Sequence, residues 1–68
     1  MLGLVRYSFD GSSLSSDDRI KLEGLLNDWA HTGCQIIDIK NGLYEGSFFE
    51  NEDISSLPFP NGTIVTTV

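Results

Sequence analysis

The sequence predicts a small α+β domain in which one helix packs on one face of a mixed sheet of about four strands, in the order β-α-β-β-β. Three observations support this fold class. An apolar stripe of helical period lies between Ser15 and Gly33, strand-like segments flank that stripe, and the turn-forming pair Asn41-Gly42 joins two of those segments. Because 68 residues suffice for one domain only, we expect residues 1–68 to form a single unit.

The helix is predicted from its period and its ends. At about 3.6 residues per turn, one face carries four large apolar side chains: Leu22, Leu25, Leu26 and Trp29. Ser15 is expected to cap the N-terminus, and Gly33 to adopt the left-handed conformation just past the C-terminus, with Cys34 packed back near Trp29. Gly24 within the helix costs about 1 kcal/mol relative to alanine. A close approach to a strand would account for it, and so would chance.

Four segments are predicted as strands: residues 2–9, 34–40, 43–49 and 63–68. The helical connection favours parallel first and second strands with a right-handed crossover, either as neighbours or with another strand between them. The Asn41-Gly42 pair predicts a type I′ hairpin with positive φ at both positions.

Residues 50–62 form a connection of a different character. The segment holds an acidic cluster and both prolines of the chain. It is long for a loop in a compact domain, and loops of this length are often functional.

The charge of the chain limits its partners. Ten acidic residues against four basic ones give a net charge of −6. Direct nucleic-acid binding and anionic membrane surfaces are disfavoured, and a protein partner with a basic surface is expected. The single cysteine excludes an internal disulfide. With no leader or bilayer-spanning run in the sequence, we expect a cytoplasmic protein.

No catalytic residue, metal ligand set or cofactor motif is predicted. His31 and Cys34 are the soft-ligand pair of the sequence, but a zinc site needs about four ligands, and hydrolysis needs a pocket and an oxyanion hole. The helix start after Gly11 resembles a phosphate-binding turn only superficially, since Asp10 and Asp17 would repel an anion.

The strands are apolar on both faces, which one helix cannot cover. If Val5, Tyr7, Phe9, Ile37 and Ile39 face the helix, then Leu2, Leu4, Ile36 and one of the two phenylalanines at 48 and 49 lie on the far face. Either the 50–62 loop folds back and closes the domain, or a partner covers this face. We expect a contact surface with an acidic rim, formed by these residues: Leu4, Ile36, Phe48, Glu50, Glu52, Asp53, Leu57 and Phe59.

Three functions follow from this pattern as hypotheses. The first is a non-enzymatic protein-binding or regulatory module, homo-oligomeric and similar in style to small phage or mobile-element inhibitors. The second is a small-molecule sensor or enzyme with a pocket at a dimer interface, using these polar groups: Tyr7, His31, Cys34 and Tyr44. The third is an acidic mimic of DNA that inhibits a nucleic-acid-binding protein, although Arg19 and Lys21 interrupt the carboxylates of the helix.

Overall fold

The computed structural model describes residues 2–68 and has the predicted α+β architecture. Its elements are β1 (Leu4–Asp10), α1 (Ser16–Trp29), β2 (Gln35–Asp38), β3 (Leu43–Phe49), a short 3₁₀ helix (Ile54–Ser56) and β4 (Ile64–Thr67). The strands form one sheet in the order β2-β3-β1-β4. The fold class is therefore confirmed: a small α+β domain with four strands and one α-helix among the described residues.

Every hydrogen-bonded strand pair in the sheet is antiparallel. β3 pairs with β1 over seven residues, from Leu4 opposite Phe49 to Asp10 opposite Leu43, and β2 pairs with the other edge of β3. β1 and β2 therefore run in the same direction, as their helical connection predicts, but β3 lies between them. The expected mixed sheet is wrong in this respect, because the long β3 fills the gap that the crossover leaves.

The helix begins as predicted and ends earlier. The Ser15 hydroxyl accepts the N–H of Asp18 at 3.2 Å. The last helical residue is Trp29, and Ala30 is already extended. Gly33 has φ +72° as predicted, but it closes a separate turn in which its N–H donates to the Ala30 carbonyl.

The helix docks on the centre of the sheet. The buried apolar core consists of Phe9, Leu14, Leu22, Leu26, Ala30, Tyr44 and Phe48. Leu22 and Leu26 on the helix and Ala30 directly after it recur every four residues and form the contact row. Trp29 lies beside this row and is 54% exposed, so the buried stripe is narrower than predicted.

A glycine allows this close docking. A Cβ at Gly46 of β3 would lie 3.1 Å from the Cβ of Ala30 and 3.3 Å from the Gly33 carbonyl oxygen. The missing side chain lets the end of the helix and the turn after it lie directly on the strand. There the His31 N–H donates to the Ser47 carbonyl at 2.7 Å, and the Ser47 N–H donates to the Thr32 hydroxyl at 3.0 Å.

The β2–β3 hairpin forms, but with a different turn. Only Gly42 has positive φ (+69°), so the type I′ turn with positive φ at both residues is wrong. The Asp38 carboxylate accepts the N–H groups of Lys40 and Asn41, and the Gly42 N–H donates to the Ile39 carbonyl at 3.3 Å. Side-chain capping by Asp38 thus stabilises a longer loop than the dipeptide alone predicts.

The 50–62 loop packs on the helix side of the sheet. Ile54, Leu57 and Phe59 contact the core, and the rings of Phe59 and Phe9 lie 5.4 Å apart between centroids. Because Phe9 faces the helix, the loop fills the space beside α1. It closes its own domain and leaves the far face of the sheet uncovered.

Gly24 lies on the open, solvent-facing side of the helix, and its substitution tests this placement. A Cβ at this position would meet no atom within 4 Å, so no strand approaches it and the glycine has no packing role. Gly24→Ala should raise the free energy of unfolding by about 1 kcal/mol through helix propensity. Urea denaturation followed by circular dichroism measures this change, and a loss of stability would contradict the open surface seen here.

Gly42→Ala should have the opposite effect. Its positive φ costs a non-glycine residue about 1–2 kcal/mol, and the new Cβ would lie 3.0 Å from backbone atoms of Gly11. We expect a loss of more than about 1 kcal/mol in the same denaturation assay. An unchanged midpoint would show that the β2–β3 turn is not packed against the start of the helical connection.

Candidate functional site

The far face of the sheet is polar at its centre. Phe9, Tyr44 and Phe48 face the helix, so the alternate residues of β1 and β3 face away from it. These central positions, with their neighbour on β4, are Arg6, Ser8, Glu45, Ser47 and Thr66. The Arg6 Nε atom lies 3.3 Å from a Glu45 carboxylate oxygen. The expected continuous apolar far face is therefore wrong.

Apolar side chains remain at the two ends of the far face. At one end Leu4 pairs with Phe49, and the ring of His31 lies on Phe49 with a centroid distance of 4.7 Å. At the other end Leu43 and Ile64 flank Asp10. The polar centre separates these two ends, so neither extends into a single large patch.

Three exposed apolar residues lie close together in the sequence, on the edge strand β2 and in the turn that follows it. Ile36, Ile37 and Ile39 are 55%, 60% and 64% exposed, and together they are called the isoleucine edge below. The sequence predicts Ile37 and Ile39 on the face against the helix and Ile36 on the far face. Instead Ile36 lies opposite Tyr44, on the helix-facing side of the sheet, and the register of β2 shifts after it, between Ile36 and Asp38.

The position of the helix explains why these isoleucines are exposed. Leu22 and Leu26 lie over β1 and β3, where Phe9, Tyr44 and Phe48 are buried. β2 lies beyond this contact, at the outer edge of the sheet. Among the described residues no strand pairs with its outer side. Its row of large apolar side chains is therefore free to meet another molecule.

The predicted contact residues separate into two groups. Leu4 and Ile36 are exposed, as a contact surface requires. Phe48 is buried beneath the helix, whereas Leu57 and Phe59 are partly buried where they pack against the core. The assignment of Phe48 to an exposed contact surface is therefore wrong, because its side chain belongs to the domain's own core. The part of Leu57 and Phe59 in a contact stays a prediction.

The three predicted acidic residues do not surround one site. Glu50 is exposed beside the Leu4 end of the far face, where its N–H donates to the Gly3 carbonyl at 2.9 Å. Glu52 is half-buried. The Asp53 carboxylate accepts the Ser55 N–H at 3.2 Å and caps the 3₁₀ helix, which is a structural role.

His31 and Cys34 lie on different sides of the sheet. The His31 ring contacts Phe49 on the far face, whereas Cys34 packs against the core on the helix side. The two side chains are thus not arranged as a nucleophile and its base. Within residues 2–68 no group of three or more His, Cys, Asp or Glu side chains is placed to hold a metal ion.

The Glu23 carboxylate acts on the pKa of two groups on the β2 side of the core, Cys34 and Tyr44. Burial raises the pKa of the Cys34 thiol, and the Glu23 carboxylate raises it further. Burial and a hydrogen bond to Glu23 likewise raise the pKa of the Tyr44 hydroxyl. The Glu23 carboxylate therefore lies close both to Cys34, which precedes β2, and to Tyr44 of β3.

The described residues form no cavity of ligand size. In that same part of the chain, no helix has the length and hydrophobicity needed to cross a bilayer. Comparison with models of known protein families, with curated proteins and with solved structures finds no match.

The raised thiol pKa predicts slow alkylation of Cys34, because the thiolate is the reactive form. Glu23→Gln removes a negative charge and should lower the pKa, so iodoacetamide should modify Cys34 faster at mildly alkaline pH. The rate measured against pH gives the pKa directly. Since the folded protein holds this proton more tightly, stability should fall as the pH rises through the thiol pKa.

The matched control is Asp17→Asn, which removes the same charge in the first turn of the helix, at the end remote from Cys34 in the chain. It should leave the alkylation profile of Cys34 unchanged. Equal acceleration in both variants would assign the effect to net charge and contradict the proximity of Glu23 to the thiol.

Proposed function

We propose that the protein is a non-enzymatic protein-binding module that contacts its partner through the isoleucine edge. The observation that carries this proposal is the exposure of three large apolar side chains within four residues: Ile36 and Ile37 on the edge strand β2, which is unpaired on its outer side in the described chain, and Ile39 in the turn after it. Contiguous apolar groups of this kind mark interaction sites in soluble proteins. An edge strand also presents free backbone groups that a partner segment can pair with.

Side-chain contacts supply most of the affinity in this proposal. β2 is only four residues long, and its register is interrupted before Asp38. Short, irregular edges pair poorly with unrelated strands, so they limit aggregation. Burial of apolar area contributes about 25 cal/mol per Å², which makes the isoleucine side chains the anchors of the contact.

Charge defines the chemistry of the partner. The chain has a net charge of −6, and Glu23 lies on the helix beside the β2 side of the core. A partner segment with apolar residues flanked by Lys or Arg would match both features. The negative field would accelerate its association, and this acceleration would fall with added salt.

Occlusion of the partner's own binding surface is the simplest mode of action for a module of this size. This would make the protein a regulator or inhibitor, as the sequence alone suggests. The free thiol of Cys34 suits the reducing environment of the cytoplasm, which we propose as its location.

Selection from a random peptide library on the immobilised protein tests this function. We expect the selected peptides to be apolar with basic flanks and to weaken with salt. Ile37→Ser should reduce their affinity at least tenfold, because it removes the central anchor. Fluorescence anisotropy with a labelled selected peptide measures the change.

The control variant is Ile20→Ser. Ile20 is an isoleucine of similar exposure, 65%, but it lies on the helix. It should leave peptide affinity unchanged. Equal losses in the two variants, or selected peptides without a basic or apolar bias, would overturn the proposed contact surface.

A further inference from the structure

Within residues 2–68, the opposite edge of the sheet is also unpaired. β4 forms this edge, and all four of its residues are exposed. The Val68 N–H donates to the Arg6 carbonyl at 3.0 Å, which makes Arg6 and Val68 a hydrogen-bonded pair. Bonded and non-bonded pairs alternate in an antiparallel ladder. The N–H and C=O groups of Val65 and Thr67 therefore point outward, away from β1.

This edge carries none of the charge that dominates the rest of the molecule. Residues 54–68 contain no ionisable side chain, although the whole chain has a net charge of −6. β4 has no proline and no register shift against β1. It therefore lacks the charges, prolines and bulges that commonly prevent edge-to-edge pairing. Two copies of this acidic protein can therefore pair through β4 without bringing acidic side chains together.

We propose that β4 pairs antiparallel with β4 of a second copy, about a two-fold axis at Thr66, and joins the two sheets into one of eight strands. In this register Val65 lies opposite Thr67 of the second copy, and their outward N–H groups and carbonyls bond each other. Thr66 then faces Thr66, a favourable cross-strand pair.

The same register brings the exposed apolar ends of the edge together. Ile64 and Val68 are 57% and 58% exposed, and alternation places both on the far face of the sheet. A two-fold axis at Thr66 puts Ile64 of each copy opposite Val68 of the other. With the axis at Val65 instead, Ile64 would lie opposite Thr66 of the second copy, and the contact between Ile64 and Val68 would be lost.

The contact is small, so it is weak. A pair of such short strands buries less than the roughly 1,600 Å² of a standard stable interface. We expect a reversible dimer in the micromolar range or weaker. It uses the edge opposite the isoleucine edge, so it neither requires nor excludes the function proposed above.

Charge substitution at the axis tests the register. Thr66→Lys and Thr66→Glu each place like charges directly opposite one another, and both should be monomeric in sedimentation equilibrium at high micromolar concentration. An equimolar mixture of the two variants should recover a species of twice the 7.5 kDa chain mass, because lysine then faces glutamate. The wild type should show the same species, and circular dichroism establishes that both variants remain folded.

Ile37→Lys on the opposite edge is the control and should dimerise like the wild type. A wild type that remains monomeric would overturn the proposal. A dimer that survives in Thr66→Lys alone, or one that Ile37→Lys abolishes, would also overturn it. Failure of the mixture to pair, with both variants folded, would reject the axis at Thr66.

Discussion

The packing of Leu22 and Leu26 against Phe9, Tyr44 and Phe48 is the contact on which the rest of the molecule depends. One helix of 14 residues covers the two central strands and little more. The 50–62 loop covers the core beside the helix. The strands outside this contact, β2 and β4, keep exposed apolar side chains, and no other strand of the described residues pairs with their outer edges.

Much of the architecture could be predicted because local signals determine it. The apolar period, the capping serine at 15 and the turn glycine at 42 each act over a few residues, and the structure contains the elements they predict. The strand order was not predictable in the same way. It depends on pairing β1 with β3 across the whole helix and hairpin, and no local pattern reports such a long-range choice.

The surface was harder to predict than the fold. Alternation separates Phe48 from Phe49 but does not say which of them faces the helix. In β2, Ile36 pairs with Tyr44 on the helix side of the sheet, opposite to the face predicted for it, and the register shift that follows prevents simple alternation from placing Ile37 and Ile39. The loop posed a similar ambiguity: the apolar residues Leu57 and Phe59 would suit either face, and only the space beside the helix decides between them.

The central position of β1 bears on how the domain folds. Tyr7 meets Gly46 on one side and Thr67 on the other, so both neighbours of β1 come from much later in the chain. Such a topology has high contact order, which slows folding and leaves few stable partial structures. The core ring of Phe9 also touches Phe59. Removing β4 would therefore destabilise β1, which it pairs with. We expect the domain to fold in a single cooperative step.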